Sequence, residues 1–360
     1  MLIVACISSH GFGHGARMAA LLRALVHRRH DIELVLSTGL PAPLLQQTLG
    51  DVPWLHRPCV WDVGVRQADA LGSDPGATLA ALVEVEGALP VQLQRERAWL
   101  APRLAAHGGH GLVIADIPPA AVLLAESLGI PLIWHGNFGW DAIYAGLGGA
   151  FAPWVEHCRR LYRRGQALIR CPFPLAMDWG LPHLAIGGES GTPRFGSSEL
   201  QERLGLHHPR ERTALLSFGG LGLTLDPALP ARWPDWRFLV GDRRLPRAAN
   251  LVPLPADLRP LDVLPLCQLV ITKPGYSTFC EALAQDVGIV AVERSQFAEA
   301  AVLLEGLQRH GRHRILSRER FSSGDWGLDR PLAPPMGQPL ACDGADQAAA
   351  WLATHWCPLP

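Results

Sequence analysis

Short apolar runs alternate along the chain with longer stretches that have helical spacing, and this alternation most constrains the fold. "MLIVACI", "DIELVLST" and "GLVIAD" are three of the apolar runs, and "GARMAALLRALVHRRH" is one of the helical stretches between them. Mainly apolar runs of this length, of which "MLIVACI" is uninterrupted, are typical of strands buried on both faces, and strands that alternate with helices form parallel sheets. The sequence therefore predicts an α/β fold.

The pattern occurs twice. The first series ends at "QALIRCPF", and residues 174–211 are then rich in proline and glycine, which predicts a linker. A second series starts at "RTALLSFGGLG". At 360 residues the chain also exceeds the roughly 250–300 residues at which single cores stop growing. We predict two Rossmann-like domains whose parallel sheets face a central cleft, with the following boundaries: 1–185, 186–340, and a C-terminal helix and tail over 341–360.

Composition excludes several classes of protein. The net charge of −1 carries no basic tract, which argues against a nucleic-acid partner. None of the eight cysteines forms a CxxC pair, so neither zinc-finger nor redox spacing is present. No leader and no apolar stretch of about 18 residues is recognised, so neither secretion nor a membrane span is expected. We predict a cytoplasmic protein.

The first glycine-rich loop, "SSHGFGHGARM" at residues 8–18, leads from a strand into a helix. The N-terminus of a helix offers unpaired N–H groups and a partial positive charge, which suit an anionic or polyhydroxylated ligand. The loop satisfies G-x-G-x-x-A, the dinucleotide fingerprint. However, the second strand ends in Ser37-Thr38-Gly39 without the acidic residue that holds the ribose of NAD. NAD is therefore disfavoured.

Two histidines flank this turn. His14 is placed to project into the cleft from the start of the helix, where an imidazole can act as a general base. His10 is a weaker candidate on the same turn. The alternative for both residues is packing or hydrogen bonding within a tight turn.

In the second half, "ITKPGYSTFCEAL" at residues 271–283 contains the densest group of candidate residues. Ser277 or Thr278 is predicted to cap a helix whose N-terminus could bind a pyrophosphate, beside Lys273, which is the sole lysine of the chain. Glu281 has two interpretations: a capping box with Thr278, or a carboxylate that binds the two hydroxyls of a ribose.

Two loops of the first half combine aromatic and polar residues, as sugar and acceptor sites do. The loop 61–74 carries three candidates, and the loop 135–146 carries three more. With His10, the predicted acceptor-side residues are Asp62, Gln67, Asp69, Asn137 and Trp140; Asp141 is the second candidate base. A separate arginine-rich helix, with Arg159, Arg160, Arg163 and Arg164, is expected to be a solvated face, and peripheral contact with anionic lipid is its alternative.

Several of these segments occur in the same order in a known group of proteins. With "SSHGFGHGARM", "DVGVRQADAL", "NFGWDAIY", "SFGG" and "KPGYSTFCEALA" followed by "FAE", the chain resembles the GT-B fold glycosyltransferases. Within them it is most similar to the glycosyltransferase-like N-terminal domain of plant L-arabinokinases. The likeness to MurG-type transferases, which use UDP-N-acetylglucosamine, is more distant.

The resemblance implies an inverting transferase that moves a sugar from a nucleoside-diphosphate donor, with UDP as the expected nucleotide, to a hydroxyl acceptor that it does not identify. It implies no cofactor and no metal, which agrees with the absence of a DxD motif. His14 is then the catalytic base, and Asp141 is the alternative. The implied donor contacts are Gly13, Gly219, Gly220, Lys273, Gly275, Tyr276, Ser277, Thr278, Glu281, Gln296 and Glu299. Two other functions remain open: a non-catalytic nucleotide-sugar-binding or sensor module, and a nucleotide-sugar epimerase or hydrolase.

Overall fold

The computed structural model describes residues 1–67, 72–219, 226, 228–241, 248–294 and 297–357. Within these ranges the strands form two sheets, one of seven strands and one of six, and every pair of neighbouring strands is parallel. The predicted α/β fold with two parallel sheets is therefore confirmed.

The first sheet has the strand order β3-β2-β1-β4-β5-β6-β7. Its strands are β1 (Leu2–Ile7), β2 (Glu33–Ser37), β3 (Leu55–Arg57), β4 (Gly111–Asp116), β5 (Leu132–Gly136), β6 (Ala167–Arg170) and β7 (His183–Ala185). Every residue of β1 and β4 is buried, because helices cover both faces of the sheet.

The second sheet has the order β10-β9-β8-β11-β12-β13. Its strands are β8 (Thr213–Ser217), β9 (Arg237–Val240), β10 (Leu251–Pro253), β11 (Leu269–Thr272), β12 (Gly288–Val292) and β13 (His313–Leu316). The central strands β11 and β12 are again buried along their whole length.

The helices connect the strands and cover the sheets. They are α1 (Phe12–Arg28), α2 (Ala42–Leu49), α3 (Pro75–Ala106), α4 (Ala121–Leu128), α5 (Trp140–Ala145), α6 (Ala152–Tyr162), α7 (Ser197–Leu204), α8 (Ala228–Ala231), α9 (Pro260–Val263), α10 (Tyr276–Ala284), α11 (Glu299–His310), α12 (Arg318–Ser322) and α13 (Gly344–His355). None of these described helices is both long and apolar enough to cross a membrane.

The strand order places the glycine-rich loops that follow β1 and β8 at comparable positions. In the first sheet β1 lies between β2 and β4, and in the second sheet β8 lies between β9 and β11. The direction of strand addition reverses at these points, and ligands of open α/β sheets bind in the crevice at the carboxyl ends of the strands there. The loops that leave β1, β4, β8 and β11 are therefore the expected walls of the site.

The structure differs from the sequence-based expectation in the segment 174–211. The segment 174–211 contains β7, which extends the first sheet, although its proline and glycine content predicts an unstructured linker. The helix α7 starts at Ser197 with Gly196 as its N-cap and without a side-chain cap. The last helix, α13, packs against α1 beside the first sheet. The domain boundaries at 185 and 340 stay predictions.

Candidate functional site

The imidazole of His14 is held by a carboxylate at the end of β4. His14 lies in the first turn of α1, and its Nδ1 is 3.0 Å from Oδ1 of Asp116. Asp116 is fully buried, and burial opposes its ionisation, but the charges of Arg17 and His14 and hydrogen bonds from both hold its pKa well below the usual range. Asp116 is therefore a carboxylate, and it fixes the orientation of the His14 ring.

Arg17, one helical turn after His14, completes this arrangement. Its Nε donates to Oδ2 of Asp116 at 2.9 Å, and its Nη2 donates to Oδ1 at 2.5 Å. The same Nη2 lies 3.2 Å from Nδ1 of His14. Because the Asp116 carboxylate can only accept, its 3.0 Å contact with Nδ1 assigns the imidazole proton to Nδ1 of His14, which leaves Nε2 as the proton acceptor.

The network continues into the second half of the molecule. Nη1 of Arg17 donates to Oδ1 of Asn137 at 2.6 Å, and Nδ2 of Asn137 donates to Oε1 of Glu299 at 2.8 Å. Glu299 begins α11 and is buried, which raises its pKa. A continuous chain of hydrogen bonds thus joins the predicted base to a predicted sugar contact across the two sheets.

His10 lies in the same crevice as a neutral ring. Its centroid is 5.3 Å from that of Trp140 and 6.1 Å from that of Phe297. Burial and the nearby cations lower its pKa to about 3, and its Nδ1 accepts a hydrogen bond from the N–H of Val65 at 3.2 Å. Gly64 permits this approach, because it has a φ of +66° and a Cβ there would lie 2.3 Å from the ring. Nε2 of His10 is then an N–H donor.

Asp62 positions Trp140. Its Oδ2 accepts from the indole Nε1 at 2.7 Å, its Oδ1 accepts from Oγ of Ser8 at 3.1 Å, and burial raises its pKa to about 6. Beside this pair is a mainly apolar cavity of about 40 Å³. Its walls come from α3, α5 and α6 and include Leu82, Leu89, Trp140, Tyr144 and Trp154.

Asp141 is held on the other side of α5. Its Oδ2 accepts from Nε1 of Trp179 at 3.3 Å and from Nε of Arg159 at 3.4 Å, and burial raises its pKa. Within the described residues no contact joins Asp141 to His14. The structure therefore brings Asp116, and not Asp141, to the predicted base.

The second-half loops meet the start of α1. Oγ of Ser277 donates to the carbonyl oxygen of Gly13 at 2.8 Å, so the N-termini of α10 and α1 face each other. Gly219 has a φ of +81°, and a Cβ there would lie 3.5 Å from Nζ of Lys273. Burial and the charge of Arg294 lower the pKa of Lys273 to about 8. These contacts bring the loops after β8 and β11 together.

The helix α10 does not begin as predicted. Its N-cap is Gly275, without a side-chain cap, so neither Ser277 nor Thr278 caps it and the Thr278–Glu281 capping box is not formed. Tyr276 is buried, with the guanidinium carbon of Arg17 5.1 Å from its ring centroid. Burial raises the pKa of Glu281 to about 7. Its contact with a ribose stays a prediction.

Three predicted site residues, Asp69, Gly220 and Gln296, lie outside the described residues. Gln67 is half-buried at the edge of the gap after residue 67. On the arginine-rich helix α6, Arg159 contacts Asp141, and Arg164, just beyond its end, pairs with Glu126. Peripheral membrane contact through this face stays a prediction.

Sequence reasoning missed Asp116 as a site residue and assigned no role to Arg17. Asp116 is the last letter of "GLVIAD", so it is a polar residue at the carboxyl end of a buried strand, and that position is the signal that could have identified it. Arg17 could not be assigned from its position, because its partners lie about 100 residues further along the chain.

One group of residues in the described part of the chain could hold a metal ion: His135, Cys171 and Glu189. The three side chains are buried and hydrogen-bonded to one another. The predicted absence of a catalytic metal stays a prediction.

Two parallel Rossmann-like sheets with facing loops define the class of fold as GT-B. Among solved structures, a UDP-glucosyltransferase from Polygonum tinctorium that glucosylates indoxyl matches with a TM-score of 0.61 at 15% identity, over 99% of both chains. UGT2 of Phytolacca americana, complexed with UDP-2-fluoro-glucose and pterostilbene, matches with a TM-score of 0.59 at 16% identity, over 99% of this chain and 90% of that one. At such low identity these likenesses establish the fold alone.

A third solved structure, the spinosyn forosaminyltransferase SpnP, matches with a TM-score of 0.56 at 13% identity, over 98% of this chain and 93% of that one. In sequence, the chain is 28% identical over 332 residues to an L-arabinokinase from Arabidopsis thaliana, which is 89% of this chain. The chain spans 31% of the length of that relative. No protein-family model matches the chain.

Proposed function

We propose that the protein is a glycosyltransferase that moves a sugar from a UDP-linked donor to a hydroxyl acceptor, with inversion and without a catalytic metal. The observation that carries the proposal is the His14–Asp116 pair at the N-terminus of α1, which faces the N-terminus of α10 across the Ser277–Gly13 contact. A base and an anion site thus lie on opposite walls of one crevice. The solved complexes with UDP-sugars on the same fold support the choice of donor.

The donor is assigned to the second half. The first N–H groups of α10 and the side chain of Lys273 would bind the diphosphate and neutralise its charge as it leaves, so that no metal is needed. Glu281 would accept the two ribose hydroxyls, and Glu299 would contact the sugar. The remaining proposed donor contacts are Gly13, Gly219, Gly220, Gly275, Tyr276, Ser277, Thr278 and Gln296.

The chemistry follows from the assigned proton. Nε2 of His14 takes the proton of the acceptor hydroxyl while its oxygen bonds to the anomeric carbon, and the bond from that carbon to the diphosphate oxygen breaks. The diphosphate leaves with the electron pair, and attack from the opposite face inverts the configuration. Asp116 stabilises the imidazolium that forms, as an orienting carboxylate does for other catalytic histidines.

The acceptor is assigned to the first half. The ring of Trp140 and the ring of Phe297, which comes from the second half, pack around His10, and the N–H of His10 offers a donor to a second acceptor hydroxyl. Asp62 and Asn137 hold this wall through Trp140 and Arg17. The contacts of Asp141 with Arg159 and Trp179 favour His14 over it as the base.

The donor site is tested by thermal stability with UDP, GDP, dTDP, ADP and NAD. A ligand at about 100 times its dissociation constant stabilises the folded state by roughly 2.7 kcal/mol, which visibly raises the Tm. We expect UDP to stabilise the wild type and the exposed control variant Glu305→Gln, but not Glu281→Ala. Stabilisation by NAD, or by none of the five, would overturn the donor assignment.

The catalytic assignment is tested by release of UDP from UDP-sugars in the presence of a library of hydroxyl acceptors. We expect His14→Ala to abolish transfer while UDP still stabilises the variant, and His27→Ala, at the far end of α1, to leave both unchanged. Addition of Mg²⁺ or Mn²⁺ should not raise the rate. A nucleotide-sugar-binding module would release no UDP, and a hydrolase would release it without an acceptor.

A further inference from the structure

His135, Cys171 and Glu189 form a fully buried cluster that the proposed transfer does not use. His135 lies on β5, Cys171 directly follows β6, and Glu189 lies in the segment between β7 and α7. Nε2 of His135 is 2.9 and 3.0 Å from the two carboxylate oxygens of Glu189. Sγ of Cys171 is 3.2 Å from Oε2 of Glu189 and 3.6 Å from Nε2 of His135. Three different ligand types therefore converge on one point.

These separations are close to those around a tetrahedral ion. Bonds of about 2.0–2.2 Å to nitrogen and oxygen and of about 2.3 Å to sulfur place neighbouring ligand atoms roughly 3.4–3.6 Å apart. The sulfur–nitrogen separation of 3.6 Å already has this value. The nitrogen–oxygen and sulfur–oxygen separations need to increase by no more than about half an ångström, which small side-chain rotations supply.

The hydrogen bonds of the protein do not complete the cluster. Nδ1 of His135 is buried and has no hydrogen-bond partner among the described residues. A buried polar group without a partner is costly, and such groups commonly indicate an ion or water that the protein binds.

We propose that His135, Cys171 and Glu189 bind one zinc-class divalent ion. The mixture of sulfur, nitrogen and oxygen ligands favours Zn²⁺ over Mg²⁺ or Ca²⁺, which require oxygen. The Cys171 thiol loses its proton to solvent when the ion binds. The thiolate and the Glu189 carboxylate then balance the two positive charges, and the imidazole stays neutral.

Such an ion would join the ends of β5 and β6 to the segment between β7 and α7, which leads to the second sheet. Its role is structural, because the proposed diphosphate contacts Lys273 and Gly219 lie on other loops. The proposal does not depend on transferase activity, so a failure of one is distinguishable from a failure of the other.

The test starts with the wild-type chain, purified without chelator, and metal analysis by mass spectrometry. We expect about one zinc per chain. Protein produced in cobalt-containing medium should show a thiolate-to-cobalt charge-transfer band and the intense visible bands of four-coordinate Co²⁺. Wild-type protein without bound metal, whose Tm does not rise on addition of Zn²⁺, would overturn the proposal and identify the cluster as a hydrogen-bonded triad.

Variants identify the ligands. Loss of an outer-shell partner costs about 10–100-fold in metal affinity, so Cys171→Ser and Glu189→Gln should weaken zinc binding by more than about 100-fold. Cys267→Ser is the control, because Cys267 is an equally buried free cysteine whose Sγ donates to the carbonyl oxygen of Val263. The charge-transfer band should persist in Cys267→Ser and vanish in Cys171→Ser. Its persistence in Cys171→Ser would assign the ion to another cysteine and overturn the proposal.

Discussion

At the scale of the residue, Asp116 is the acceptor for both His14 and Arg17, and all three side chains are buried. Removal of one partner from a buried ion pair leaves an uncompensated charge, which typically costs about 3–5 kcal/mol. We predict a loss of this size in the free energy of unfolding for Asp116→Asn, measured by urea titration, because Arg17 is left without its counter-charge.

The matched control is the double variant Arg17→Met/Asp116→Asn. Because it removes both charges, we expect it to be less destabilised than the sum of the two single variants, with a coupling of about 0.5–3 kcal/mol. Additive losses would show that the two charges do not compensate each other in the folded protein.

We predict that Glu281 contributes to nucleotide binding and that its buried carboxylate lowers the stability of the folded protein. Burial raises its pKa to about 7 in the folded protein, from about 4.5 in the unfolded chain, so the folded state disfavours the charged form. Stability is therefore lost as the pH rises from about 4.5 through 7. We predict that Glu281→Gln has a higher Tm than the wild type at pH 8, an equal Tm at pH 4, and weaker UDP binding.

Calorimetry over this pH range checks the prediction, with Glu305→Gln as the control because Glu305 is exposed on α11. An equal or lower Tm for Glu281→Gln at pH 8 would show that this carboxylate is not penalised by burial. A retained UDP affinity would remove Glu281 from the ribose site.

At the scale of the element, the carboxylate of Asp262 in α9 is hydrogen-bonded to the segment between β7 and α7. Asp262 accepts from Nε of Arg194 at 3.1 Å and from Nη2 of Arg259 at 2.7 Å. Although burial opposes ionisation, these two arginines lower the pKa of Asp262 to about 2. A shift of that size corresponds to about 2.5 kcal/mol. We predict that Asp262→Asn loses about this free energy of unfolding at pH 7, as measured by urea titration.

The pH dependence follows from the lowered pKa. The contribution of Asp262 is present above its unfolded pKa of about 3.9 and is lost as the pH falls through about 2. The difference between the wild type and Asp262→Asn should therefore shrink between pH 5 and pH 2. Asp257→Asn, in the exposed pair with Arg203, is the control and should cost little at any pH. A constant difference for Asp262→Asn contradicts the assignment.

At the scale of the whole molecule, the last helix, α13, packs against α1 beside the first sheet. The chain returns from the second sheet through a segment in which the N–H of Gly344 donates to the carbonyl oxygen of Gly188, and α13 then packs against α1. Leu352 is fully buried in this contact. We predict that Leu352→Ala costs about 2–5 kcal/mol, as large-to-small core substitutions do, measured by urea unfolding.

Thr354→Ala is the control for this prediction, because Thr354 lies on the exposed face of the same helix and bonds only to the carbonyl oxygen of Ala350. Equal losses for the two variants would show that α13 contributes through its helical propensity and not through its contact with α1.

Much of the fold was predictable, since hydrophobic periodicity is a local property. The apolar runs at β1, β4 and β11 and the helical spacing of α1 and α11 are present in the sequence, and the structure has these elements. β7 was not predictable, because only three residues pair with the edge of an existing sheet. The Thr278–Glu281 capping box does not form because α10 begins earlier, with Gly275 as its N-cap.

The candidate site was likewise predictable only where it depends on neighbouring residues. His14, Lys273 and Glu281 follow strand–loop–helix turns that can be read from neighbouring letters, and the sequence by itself determined that these turns would lie at the edges of parallel sheets. Only the tertiary structure decided which carboxylate meets His14, that Arg17 bridges Asp116 to Asn137, and that His135, Cys171 and Glu189 converge. The physical reason is distance along the chain: these partners are separated by 18 to 120 residues, and contacts of that kind depend on how strands are ordered in a sheet.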